Sequence, residues 1–138
     1  MHFKMSKNDS SDIGFALSCL IGRAIHFREF KEWLYFVVEH SDDPPSYVFD
    51  MLDVKLFVDF KPYEIMGFVA SGGLSTDEAD AISGFRFLRG ISDFEDRISR
   101  HDAIAKLRLN PDFERKVKSF FPFLNMDSHI GPDPDKGW

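Results

Sequence analysis

The chain has 138 residues, of which 23 are acidic and 17 basic, with a formal net charge of −6 and sixteen phenylalanines. That length suits one domain with a sizeable core, and the aromatic content excludes a disordered chain. The acidic balance argues against a nucleic-acid binder, which carries a basic patch.

Residues 1–11 are polar and are expected to form a frayed tail. A helical domain is expected over 12–122. Asp12 is positioned to cap a helix from Ile13 to Leu20 or Ile21, with Gly22 at its end. Asp9 and Asp12 interrupt the basic region that a secretory leader would need before residues 13–21. Phe27, Phe30, Leu34, Val37 and Val38 then recur at helical spacing. Trp33, Tyr35 and Phe36 widen that face, leaving a narrow polar stripe of Arg28, Glu29, Glu32 and Glu39. The pattern is that of a helix buried on several sides. Pro44 holds the residue before it out of helical geometry, so Asp43 is expected to be the N-cap of a short helix. Val48, Phe49, Met51 and Leu52 would face inward there, and Asp50 and Asp53 outward.

Residues 54–60 alternate in part like a strand, but no second strand is available to pair with them, so an extended link or a helical continuation is expected. Pro62 opens a short helix. Ser75 and Glu78 form a capping box, followed by Ala79, Ile82 and Phe85 at helical spacing and closed by Gly90. Gly84 inside that helix implies close approach of a neighbour. A turn is expected over 93–98. A further helix starts at Ser99 or Asp102, with Ala103, Ile104, Leu107 and Leu109 inward. Pro111 opens the last helix, burying Phe113, Val117, Phe120 and Phe121. Residues 123–138 read as an irregular tail with no core role. The fold class that follows is all-α: a single-domain bundle of six or seven short-to-medium helices.

No catalytic or metal motif stands out. The five histidines lack ligand spacing, and neither HExxH nor Cys-x-x-Cys occurs. The one cysteine, Cys19, sits in an apolar run and reads as a buried thiol, which fits a reducing cytoplasm. No apolar run reaches the roughly 20 residues of a membrane span. Gly72-Gly73 is not followed by Gly-Lys-Ser/Thr, so it is no phosphate loop. What is informative is the distribution of charge. Between Glu39 and Asp80 there are ten acids and two basic residues, whereas between Arg86 and Lys118 there are nine basic residues and six acids.

The run EWLYFVVEHSDDPPSYVFDMLD, with an apolar helix before it and KPYEIMGF after it, resembles small bacterial immunity proteins. In particular it is similar to those of contact-dependent growth inhibition systems, over residues 12–121. The resemblance is one of layout. It implies one helical or mixed domain that binds and blocks a single toxin domain, and it brings no catalytic signature. An enzyme is therefore not expected, nor are a cofactor, a metal, a nucleic-acid partner or a membrane partner. The expected partner is a basic toxin domain, a nuclease and first of all a ribonuclease, whose phosphate-binding cleft an acidic surface would plug. Candidate contacts are Glu39, Asp42, Asp43, Asp50, Asp53, Asp77, Glu78 and Asp80, with Tyr47, Tyr63 and Trp138 as aromatic anchors. The alternatives are a helical adaptor without a toxin, or a small enzyme using exposed carboxylates such as Asp50/Asp53 or Asp77/Asp80.

Overall fold

Helix α2, Phe27–His40, is the element on which much of the core converges. The computed structural model describes residues 2–91 and 97–134, and among these seven helices and no named strand occur. Helices α1 (Ser11–Ile21) and α3 (Ser46–Asp53) pack directly on α2. Trp33 also stacks on Phe120 of α7 (Pro111–Phe120), with centroids 5.4 Å apart. Burying a side chain of this size contributes about 1.5–3 kcal/mol. The buried stripe of α2 is narrower than its composition suggests: Tyr35 is 60% exposed, and Glu29 is buried among the aromatics.

The corner after α2 differs from expectation. Helix α3 starts at Ser46, and its N-cap is Pro45, which makes no side-chain cap bond. Two prolines in succession explain this, because Pro45 holds Pro44 out of helical geometry and moves the start beyond both rings. Asp43 is therefore no cap. Tyr47, Val48 and Met51 face the core. Phe49, expected inward, lies with Asp50 and Asp53 on the outer side.

Residues 54–60 are a link containing a 3₁₀ turn, Phe57–Asp59. Phe57 and Phe60 place their rings 5.7 and 5.1 Å from that of Phe27. Arg23 caps the link, its guanidinium 4.4 Å from the Phe57 centroid. It does so from a left-handed backbone, φ +66°, which costs a residue with a Cβ about 1–2 kcal/mol. Helix α4 (Pro62–Met66) follows. The next loop crosses the start of α1, where Ser71 N–H donates to Ser10 Oγ at 2.8 Å. Gly14 permits that crossing, since a Cβ there would sit 1.5 Å from the Ser71 carbonyl oxygen.

The capping box forms as expected on α5 (Thr76–Arg89): Glu78 N–H donates to Ser75 Oγ, and Ser75 N–H to Glu78 Oε1. Ser99 caps α6 (Arg100–Arg108), and Asn110 caps α7. Helices α5 and α6 pack most closely of all, and Gly84 is the reason. A Cβ there would meet Ala103 O at 2.7 Å and Leu107 Cβ at 2.8 Å. Ala103 and Leu107 are buried, but Leu109 follows the end of α6 and points into solvent. The turn expected over 93–98 falls largely outside the described residues.

Neither end of the chain is loose where it is described. Met5 and Ser10 are buried. Lys4 N–H donates to Asp12 Oδ2 at 2.8 Å, so Asp12 holds the preceding segment instead of capping α1. At the other end, Met126 and Asp133 are buried, so the tail does have a core role. No helix among the described residues is long and apolar enough to cross a membrane.

Candidate protein-binding face

The acids fall into two groups with different surroundings. The first lies at the α2–α3 corner and along α3: Glu39, Asp42, Asp43, Asp50 and Asp53, all exposed. Among the described residues none of these five carboxylates is paired with a cation. Asp50 and Asp53 are three residues apart on α3 and so share one face. The corner also borders a cleft of about 470 Å³, closed on its other side by Phe3, Lys4 and Met5. The second group lies at the start of α5 and has local work. Asp77 accepts from Lys106 Nζ at 3.1 Å and holds that ammonium's pKa above its ordinary range. Glu78 belongs to the capping box, and Asp80 is half-buried. Helix α3 packs on α2 and α4, whereas α5 packs on α6 and α7. The unpaired negative charge is thus concentrated on the first group.

The tyrosines divide. Tyr63 stands on α4, 46% exposed. Tyr47 is buried, and its hydroxyl donates to Met5 O at 2.6 Å, so it pins the N-terminal segment and is not available as an interface anchor. Burial pushes its phenol above the usual range. A folded value above the unfolded one gives stability that is full below about pH 10 and is lost as the pH rises through the folded value. Wild-type stability in urea should therefore fall more steeply above about pH 10 than that of Tyr47→Phe. Parallel declines would show that the phenol is not protected. Trp138 lies outside the described residues.

Sequence reasoning missed a buried polar network. Arg89, 1% exposed, grips Glu29 through both guanidinium nitrogens, Nη1 to Oε1 at 2.9 Å and Nη2 to Oε2 at 2.6 Å. Nη1 also donates to Ala24 O at 2.7 Å. Glu29 Oε1 accepts from His26 N–H, and His26 Nε2 lies 2.9 Å from Gly131 O. Asp133 accepts from Phe27 N–H at 2.8 Å, while Ile130 and Gly131 N–H donate to Arg89 O. This set ties α2, α5 and the C-terminal segment together. The sequence carried little signal for it, since Glu29 falls in the polar stripe of α2 and Arg89 lies 60 residues away.

Cys19 is fully buried, and burial drives its thiol pKa up, away from the reactive thiolate. Among the described residues no group of three His, Cys, Asp or Glu side chains is placed to hold a metal ion. No family model, no curated protein and no solved structure matches the chain.

Proposed function

We propose that this chain is a cytoplasmic immunity protein that binds one toxin domain and blocks it by occupying a basic cleft. The toxin would be a nuclease, with a ribonuclease as the first choice. The observation that carries this reading is the α2–α3 corner, where Glu39, Asp42, Asp43, Asp50 and Asp53 are exposed and have no cationic partner among the described residues. An uncompensated cluster of this kind produces a field that steers a basic protein and raises its on-rate. A phosphate-binding cleft carries the complementary sign. The resemblance of residues 12–121 to contact-dependent growth inhibition immunity proteins points the same way.

The test is co-expression with the polypeptide encoded immediately upstream of this gene. The expected result is a one-to-one complex on size exclusion and restored growth of cells making that polypeptide. Growth arrest with no complex would remove the immunity reading and leave a helical adaptor of some other partner.

A further inference from the structure

The outer face of α3 and the link after it carry more than charge. Phe49, Leu56, Val58 and Tyr63 lie within one short stretch of chain and are between 43% and 54% exposed. These side chains stand on α3, the link and α4, which adjoin in the fold, and large apolar side chains turned to water on adjoining elements suit an interaction surface. Local geometry explains why they cannot turn inward. On α3 the core-facing positions are already filled by Tyr47, Val48 and Met51, so Phe49 points away with Asp50 and Asp53. In the link Phe57 packs on Phe27, which leaves its neighbours Leu56 and Val58 outside. Helix α4, bearing Tyr63, packs against α3.

We propose that this face is a docking surface that seats apolar side chains of a basic protein partner, with Asp50 and Asp53 as its charged rim. The inference rests on the immunity reading for the partner's biological identity, but the surface itself can be tested apart from it. Charge selects the occupant. From Glu39 to Glu64 there are seven acids against Lys55 and Lys61. A second copy of the chain docked by a two-fold contact would set Asp50 and Asp53 near their own like. An anionic lipid surface would be repelled for the same reason. A partner presenting apolar side chains among lysines and arginines meets both features at once. Interfaces are built in this way, with a desolvated apolar centre holding the complex and a charged rim setting its on-rate.

The probe is a short amphipathic helical peptide of leucine and lysine, titrated into the isotopically labelled protein and followed by backbone amide shifts. A serine–lysine peptide of equal charge and a leucine–glutamate peptide serve as controls. The leucine–lysine peptide should bind saturably, with its largest shifts in residues 46–66. Phe49→Ser combined with Leu56→Ser should weaken it by at least about tenfold. The serine–lysine peptide should bind far more weakly, and the leucine–glutamate peptide should not bind. Two results would overturn the proposal: unchanged affinity in the double variant, or shifts centred elsewhere. A wild-type dimer that the double variant converts to monomer would also overturn it, by making a second copy the occupant. Failure of the upstream polypeptide to bind would remove the immunity reading and leave the peptide result standing, so the two failures are distinguishable.

Discussion

Arg89→Met should cost the fold about 3–5 kcal/mol, because it leaves the Glu29 carboxylate buried without its partner. The guanidinium is 1% exposed and makes three hydrogen bonds, two to Glu29 and one to Ala24 O. Losing it strands a charge and a carbonyl together, which costs more than the pair itself contributes. Set against a total stability of about 5–15 kcal/mol, that is a large fraction. Urea denaturation of Arg89→Met, Glu29→Gln and the double variant forms a cycle. The two changes should couple strongly, since each single variant leaves the other group unsatisfied. A loss below about 1 kcal/mol for Arg89→Met would show that water reaches this site and that the clasp is not structural.

Reversing Asp42, Asp43, Asp50 and Asp53 to lysine together should leave the fold in place and slow the association with the proposed basic partner by about 10- to 1,000-fold. The fold is spared because all four side chains are exposed and Pro45, not Asp43, stands at the head of α3. The on-rate suffers because the field at the corner changes sign. The dissociation rate should change less, since rim charges act chiefly on encounter. Reversing Asp77 and Asp80 is the control. Asp77 already answers Lys106, so its loss should affect the junction of α5 and α6 rather than the partner's approach.

Much of the architecture could be read from the sequence because it rests on local rules. The α5 capping box and the prolines at 62 and 111 each have a cause within a few residues of themselves, and the missing side chain of Gly84 signals a close neighbour without naming it. The failures share a different physics. Glu29 was read as surface because its partner lies 60 residues away and no periodicity announces it. Phe49 was read as core because it is apolar, although the inward side of α3 was already full. The N-terminal end was read as loose because its composition is polar, and the C-terminal end because glycines and prolines punctuate it. Met5, Asp12 and Asp133 are nevertheless hydrogen-bonded to Tyr47, Lys4 and Phe27 respectively. Within the candidate site, the acids of the corner were legible. That Tyr47 serves the fold, and that Asp77 is neutralised by Lys106, could be learned only from packing.

The decisive measurement is the stopped-flow association rate of this protein with the polypeptide encoded upstream, taken from low to high ionic strength. An acidic corner that draws in a basic cleft gives a rate that falls steeply with salt in the wild type, and a lower rate that rises with salt in the quadruple reversal, whose corner repels that cleft. If the two proteins associate at the same rate with the same salt dependence, the carboxylates at 42, 43, 50 and 53 have no part in recognition and the corner is ordinary solvated surface.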